Sequence, residues 1–135
     1  MNTTMTDLEI VKEAFELLSP IPDEEWTIEI QFDNVKRQCC ALGHYRARKS
    51  GLTTEQVFDL LGPKQTIEWS SVGHASETRT LNNIVKEVVG YFLTSINNGK
   101  VSFFSQETPK ERTLMGLRMA IDTLTEQEIL KTNEN

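Results

Sequence analysis

The sequence has few of the features that mark specialised classes of protein. Only 7 glycines and 4 prolines occur in 135 residues, and there is no internal repeat, low-complexity tract or linker. Gly43, Gly51 and Gly62 are too scattered to form a Walker or dinucleotide-binding loop. No run of 18 or more apolar residues is present to span a membrane. These absences favour one globular domain over a repeat protein, a membrane protein or a common nucleotide-binding enzyme.

Cysteine is also scarce, and the two that occur, Cys39 and Cys40, are adjacent. Such a pair cannot form a disulfide framework, so we expect free thiols in a reducing compartment. The first residues lack the basic and apolar regions of a secretory signal, which predicts a cytoplasmic protein. With 38% apolar residues, residues 1–131 should form one globular domain, and residues 132–135 should fray.

Charge is segregated along the chain, although the net charge is only -6. Residues 1–33 carry nine acids and one base, whereas residues 34–54 carry five bases and no acid. The net negative charge argues against direct nucleic-acid binding. The segregation has two interpretations: the two blocks meet in the fold, or each is a recognition surface. The basic block consists of Lys36, Arg37, Arg46, Arg48 and Lys49.

The pattern of apolar residues predicts a mostly α (α+β) fold with four to five helices and a two- to three-stranded antiparallel sheet. Helix starts are expected at three capping patterns, which begin at Thr6, Thr53 and Thr108. Spacing of 3.6 residues predicts a central core helix from Ser76 or Thr80 to Asn97.

Shorter segments are expected to complete the fold. Alternation predicts a strand over residues 26–32, with residues 35–38 pairing back on it and residues 101–104 as a further strand. Residues 64–75 should form an irregular connection with Trp69 in the core, and Thr125 should begin a last turn or two.

One candidate chemistry is thiol catalysis. Cys40 stands at a predicted helix N-terminus, where the helix dipole favours a thiolate. His74 is a candidate base, His44 lies one helical turn beyond Cys40, and Asn97 or Asn98 could orient the imidazole. The alternative is that Cys40 packs between strand and helix as a buried residue. The cysteines and histidines lack the paired spacing of a zinc site, so we expect no metal and no cofactor.

A second candidate is an anion site. Arginine suits phosphate because its planar fork donates two parallel hydrogen bonds. Arg46 and Arg48 lie about 200° apart around a regular helix, so only a subset of the basic block can face one ligand. Lys110 and Arg112, at the start of the last helix, form a second possible phosphate site with Arg46 as a further candidate. The alternative for each is solvated helix surface.

Three short motifs occur in an order that resembles small uncharacterised proteins of phages and bacterial mobile elements. They are Cys40-Ala41-Leu42-Gly43, the Asn97-Asn98-Gly99 turn, and Pro109-Lys110-Glu111-Arg112 at a helix start. The family pattern has a C-A-L-G motif, an Asn-Asp pair and a P-x-x-R helix start. This sequence departs from it at Asn98, where the pattern has Asp, which weakens an enzymatic role there. The resemblance implies a phage-like setting and no particular activity.

These observations favour a non-enzymatic binding protein over an enzyme. We expect it to act stoichiometrically on a host protein, as an inhibitor of a nucleic-acid-handling or defence complex. The alternatives are a small cysteine-dependent hydrolase using Cys40 and His74, and a binder of small anionic nucleotides. The sequence leaves the oligomeric state open. The expected contact residues are Glu24, Glu25 and Glu29, together with Lys36, Arg37, Arg46, Arg48 and Lys49.

Overall fold

Within the residues that the structure describes, 5–62 and 72–133 of a computed structural model, the chain forms six α-helices and one short hairpin. The predicted class, mostly helical with a small antiparallel sheet, is confirmed. The helices are α1 (Asp7–Leu18), α2 (Ala41–Lys49), α3 (Thr54–Leu61), α4 (Ala75–Val89), α5 (Leu93–Asn97) and α6 (Pro109–Asn133); the strands are β1 (Phe32–Asp33) and β2 (Gln38–Cys39), and a 3₁₀ turn covers Asp23–Glu25.

The helix starts follow the capping patterns of the sequence. At α1 the Thr6 hydroxyl accepts a hydrogen bond from the Glu9 N–H, and the Glu9 carboxylate accepts one from the Thr6 N–H. Thr53 and Gln56 form the same reciprocal pair at α3. At α6 the Thr108 hydroxyl accepts a bond from the N–H three residues later. Each bond satisfies a donor that the first helical turn leaves free, and the three predicted starts are confirmed.

The most deeply buried helix is α2, which lies between two apolar clusters. All of its residues from 41 to 47 are buried. Leu42 and Tyr45 belong to the larger cluster, which they share with α1, α4, α5 and α6. Ala47 belongs to a smaller cluster with Phe32 and Phe58. The sequence predicts the helix after residue 75 as the central one, but α2 is the helix that both clusters share.

The predicted single helix up to Asn97 is wrong beyond Val89. Gly90 has a φ of 102°, and its N–H donates to the Lys86 carbonyl, which ends α4. Glycine adopts this left-handed conformation without steric cost, and it commonly terminates helices for that reason. A separate short helix, α5, begins at Leu93. This break raises the number of helices above the number predicted.

The predicted strand from Trp26 to Phe32 is wrong between its ends, although Trp26 forms an isolated parallel bridge to Cys39. Phe32 belongs to β1, which pairs antiparallel with β2, so that Phe32 lies opposite Cys39. The chain does return after the turn, but of the predicted partner residues 35–38 only Gln38 is paired, and residues 35–37 belong to the turn. Glu29 has a φ of 69°, and this left-handed residue interrupts the extended backbone that the alternating sequence predicts.

The predicted strand over residues 101–104 is a turn instead. The Phe104 N–H donates to the Val101 carbonyl at 3.0 Å. Both of these side chains are buried, which accounts for the apolar pattern. A strand here would need an extended neighbour, and the segment before Phe32 does not supply one.

Two further expectations concern the last helix and the connection before α4. Thr125 does not begin a new turn, because α6 continues without a break to Asn133. No glycine or proline occurs beyond Gly116 to end it earlier. The expected irregular connection with Trp69 in the core falls largely on residues 63–71, which lie outside the described residues.

Candidate recognition site

Asn97, the last residue of α5, is fully buried and forms four side-chain hydrogen bonds. Its Oδ1 accepts from the Ala41 N–H at 3.1 Å and from the Thr113 hydroxyl at 3.3 Å. Its Nδ2 donates to the Thr27 carbonyl at 3.1 Å and to Asn98 Oδ1 at 3.0 Å. A buried amide with every donor and acceptor paired is held in one orientation. This side chain thus joins α2, α6 and the segment before β1.

Asn98 extends this hydrogen-bond network to the surface. Its Oδ1 also accepts a bond from the Glu29 N–H at 2.7 Å. The left-handed conformation of Glu29, with φ 69°, costs a non-glycine residue about 1 kcal/mol or more. The bond from Asn98 helps to hold the backbone in that conformation. The Glu29 carboxylate lies 3.7 Å from Lys100 Nζ, and both side chains are exposed.

Residues 27–31, called the 27–31 loop below, are bonded at one end to β2 and at the other to the residue that precedes α2. The Thr27 N–H donates to the Cys39 carbonyl at 2.9 Å, and the Gln31 carbonyl accepts from the Cys40 N–H at 3.2 Å. A Cβ added to Gly43 would lie 2.0 Å from the Gln31 carbonyl oxygen. Only glycine therefore allows α2 to approach the loop this closely.

Arg112 supports the network from the start of α6. It donates to the Ile96 carbonyl at 3.2 Å and to the Asn97 carbonyl at 2.8 Å. It also donates to the carbonyls of Gln106 at 2.9 Å and Glu107 at 3.3 Å. These oxygens lie at the end of α5 and just before α6, where helix geometry leaves carbonyls free. An anion at Arg112 would have to compete with these four bonds.

The three motifs noted in the sequence therefore meet around one loop. Gly43 allows the close approach of α2, Asn97 and Asn98 supply the hydrogen bonds, and Arg112 fixes the carbonyl end of α5. Together they form one support for the 27–31 loop.

The loop presents two apolar side chains on this fixed backbone. Ile28 is 42% exposed and Ile30 is 44% exposed. The flanking aromatic residues, Trp26 and Phe32, are buried and hold the loop at both ends. Binding residues often lie on loops that a rigid scaffold positions, which makes this loop a candidate for recognition.

The acidic turn, Asp23–Glu25, directly precedes the loop. Asp23 and Glu24 are exposed, and among the described residues neither carboxylate forms an ion pair. Glu25 is half-buried, and its charge acts on Arg48. The predicted acidic contact residues Glu24, Glu25 and Glu29 are thus next to the exposed isoleucines.

The structure does not assemble the predicted thiol site. Burial raises the pKa of the Cys40 thiol, an effect that the N–H groups of Gly43 and Leu42 only partly oppose. His74 Nδ1 is paired with the Glu77 carboxylate at 2.7 Å. In the described part of the chain, no histidine ring is hydrogen-bonded to the Cys40 sulfur. A nucleophile needs a readily ionised thiol and a base hydrogen-bonded to it; burial opposes the first at Cys40, and the described residues do not supply the second.

His44 is fully buried against Trp26, with ring centroids 4.7 Å apart. Its Nε2 lies 2.9 Å from the Glu25 carbonyl oxygen. A carbonyl can only accept, so Nε2 carries the proton and Nδ1 is the unprotonated nitrogen. Nδ1 has no hydrogen-bond partner among the described residues. Burial, assisted by the charge of Arg48, lowers the pKa of His44 to about 3.

The basic residues of α2 are engaged within the fold. Arg46 is buried and donates to the Gly73 carbonyl at 2.9 Å and to Gln31 Oε1 at 3.3 Å. Arg48 donates to the Leu52 carbonyl at 2.9 Å. Lys49 Nζ lies 3.0 Å from the Glu13 carboxylate on α1. The last pair supports the interpretation that the acidic and basic blocks meet in the fold.

The other predicted basic residues lie apart from α2. Arg37 is exposed and pairs with Asp59 at 3.1 Å. Lys36 is exposed in the hairpin turn, and Lys110 is half-buried in the first turn of α6. The structure thus distributes the basic block over several elements.

A cavity of about 350 Å³ lies beside α1, α2 and α4. Tyr45, Ile10 and Met5 provide its apolar lining, and Lys49 and Glu77 lie at its charged edge. The size suits a small ligand. Both charged groups already have partners, since Lys49 pairs with Glu13 on α1 and Glu77 pairs with a histidine.

Sequence reasoning missed the exposure of Ile28 and Ile30, because a regular half-buried strand would have buried them. It considered Asn97 only as a possible orienting residue of the thiol alternative. One signal was present: Cys40, the residue before α2, cannot cap a helix as Ser, Thr, Asp or Asn would. The start of α2 therefore leaves room for a distant acceptor, and Asn97 Oδ1 accepts from the N–H of its first residue, Ala41.

No helix among residues 5–62 and 72–133 has both the length and the apolar character needed to cross a bilayer. In the same residues, no three His, Cys, Asp or Glu side chains converge as ligands for a metal ion. Comparisons with protein-family models, with curated proteins and with solved structures give no match to this chain.

Proposed function

We propose that the chain is a non-enzymatic binding protein that acts stoichiometrically on a protein partner. The observation that carries this proposal is the uncompensated charge of the acidic turn. Among the described residues, the exposed carboxylates of Asp23 and Glu24 have no ion pair, and they stand directly before an exposed apolar loop. Complementary charge steers a partner to such a surface and selects against wrong ones.

The position of the basic residues supports the proposal. Arg46 donates to a backbone carbonyl and a glutamine, and Lys49 pairs with Glu13 on α1. Neither side chain neutralises the acidic turn. Arg48 interacts with the charge of Glu25, which leaves the exposed carboxylates of Asp23 and Glu24 to meet a cationic group of a partner.

The proposed partner is a host factor in the phage-type setting that the motif resemblance implies. Proteins that handle nucleic acid carry Lys and Arg on the surfaces that meet phosphate. An acidic protein bound to such a surface would block it without any chemistry of its own. We therefore propose inhibition of a nucleic-acid-handling or defence complex.

Partner capture followed by a measurement of stoichiometry tests the proposal. The full chain is immobilised and exposed to a lysate of host cells, and the recovered protein is purified and titrated by calorimetry. We expect a saturable complex with an integral ratio. Combined Glu24→Gln, Glu25→Gln and Glu29→Gln changes should slow association, most strongly at low salt.

The control is a variant with the same change in net charge elsewhere. Asp122, Glu126 and Glu128 are exposed on α6, so Asp122→Asn, Glu126→Gln and Glu128→Gln should leave association nearly unchanged. Recovery of no partner, or equal effects of the two triple variants, would count against the proposal.

A further inference from the structure

The backbone of the 27–31 loop is held by hydrogen bonds at both of its ends and at its centre. Thr27 forms hydrogen bonds through both its N–H and its carbonyl, to Cys39 and Asn97. The Glu29 N–H and the Gln31 carbonyl are also bonded, to Asn98 and to the Cys40 N–H. The residues of the loop with exposed side chains are Ile28, Glu29 and Ile30.

A backbone that is already fixed loses less conformational entropy when a partner binds. A mobile loop loses conformational freedom when a partner orders it, whereas a preformed loop has little left to lose. The left-handed Glu29 is a local strain that Asn98 offsets. Strain of this kind, held by surrounding hydrogen bonds, occurs at binding and catalytic sites more often than elsewhere.

The composition of the surface defines the chemistry of its occupant. Ile28 and Ile30 offer branched aliphatic side chains, and Glu29 places a carboxylate between them. The exposed acids Asp23 and Glu24 add negative charge before the loop. A nucleic acid is repelled by this charge, and an anionic lipid surface is repelled for the same reason. A protein surface with an apolar depression and Lys or Arg at its edge is complementary to both features.

We infer that the 27–31 loop is a preformed docking element that places Ile28 and Ile30 in an apolar depression of a basic protein surface. This inference rests on the proposed function, because it names the contact through which the partner is bound. The apolar pair provides the binding energy and the carboxylates direct the approach, as central and peripheral residues do in other interfaces.

Peptide selection tests the inference without knowledge of the natural partner. A displayed library of random short peptides is selected on the immobilised full chain, and enriched peptides are synthesised. We expect them to combine Lys or Arg with large apolar residues. In two-dimensional NMR spectra, they should shift the amide signals of residues 27–31.

Two variants separate the apolar contact from the support beneath it. Ile28→Ser with Ile30→Ser should weaken binding of the selected peptides about tenfold or more, since apolar anchors dominate interfaces. Asn98→Ala should weaken binding less, because it loosens the loop without removing the anchors. The matched control is Val35→Ser with Leu60→Ser, which changes two exposed apolar residues elsewhere and should have no effect.

Several outcomes would overturn the inference. They are enrichment of no peptide, equal enrichment on the doubly substituted Ile28 and Ile30 chain, NMR shifts confined to the cavity beside Tyr45, and self-association through the loop in place of peptide binding. If a host partner is captured but the isoleucine changes leave its affinity intact, the docking inference fails and the proposed function stands. If no host partner exists, the proposed function fails whatever the peptides show.

Discussion

At the scale of single residues, the side chains that suggest chemistry in the sequence mostly maintain the fold. Asn97 is the clearest case, because its amide caps α2 across a sequence separation of 56 residues. Arg112 acts similarly through four backbone carbonyls. Removal of a buried partner leaves other polar groups unpaired, at about 1–3 kcal/mol each.

Asn98 tests the hydrogen-bond network with a matched pair of variants. Its side-chain oxygen accepts from Glu29 and Asn97. An aspartate carboxylate can accept both bonds, whereas alanine can accept neither. We expect Asn98→Asp to keep nearly the original stability and Asn98→Ala to lose about 1–2 kcal/mol in urea unfolding. Equal losses in the two variants would show that the oxygen is not the important group.

The cysteines provide a second prediction at this scale. Burial raises the pKa of both thiols. We expect neither Cys39 nor Cys40 to be alkylated when the native chain is briefly treated with iodoacetamide at about pH 6. Both should react after unfolding in guanidinium at higher pH, which serves as the positive control. Rapid alkylation of Cys40 in the folded chain, measured by mass spectrometry, would support the thiol-enzyme alternative.

At the scale of elements, local signals predicted helix starts well and strands poorly. The Thr6 and Thr53 capping boxes depend on residues three apart, so the sequence contains the whole interaction. The conformation of residues 27–31 depends on Asn97 and Asn98, about 70 positions away, and no periodicity reports such contacts. Glycine commonly ends helices, as Gly90 does here. The apolar residues on both sides of it continue the helical spacing, however, and so predicted one uninterrupted helix.

Packing of α2 on the loop predicts different effects of alanine at two helical glycines. Alanine favours a helix over glycine by up to about 1 kcal/mol in either case. At Gly43 the new Cβ would lie 2.0 Å from the Gln31 backbone oxygen, whereas at Gly116 it would meet the end of the Ile96 side chain at 3.0 Å.

We expect Gly43→Ala to destabilise by about 3 kcal/mol or more, because backbone must move. Gly116→Ala should change stability by less than about 1 kcal/mol, since the isoleucine can shift. Thermal unfolding of the two variants under the same conditions provides the comparison. Similar melting temperatures for both would contradict the close approach of helix and loop.

At the scale of the whole molecule, the buried imidazole of His44 makes the stability of the fold depend on pH. Burial lowers the pKa of His44 to about 3 in the folded chain, against about 6.5 when it is unfolded. Between these values the unfolded state binds the extra proton. Stability is therefore complete above about pH 6.5 and falls as the pH decreases towards 3.

Urea unfolding at a series of pH values from about 6.5 to 4.5 measures this effect. For the original chain we expect a loss that approaches but does not exceed about 1.4 kcal/mol per pH unit from this residue. His44→Gln should show a smaller slope, because glutamine does not titrate. Identical slopes for the two chains would mean that His44 does not control the acid sensitivity.

The packing of α1 on α6 has a consequence for the newly made chain. Leu8, Val11 and Leu18 of α1 share the core cluster with Leu117 and Leu124 of α6. Translation proceeds from the N-terminus, so the ribosome releases α1 long before α6 exists. During that interval the apolar face of α1 has no native cover, and chaperones that bind short apolar helices should recognise it. A ribosome-bound chain stalled before residue 109 should therefore retain such a chaperone, and the completed chain should release it.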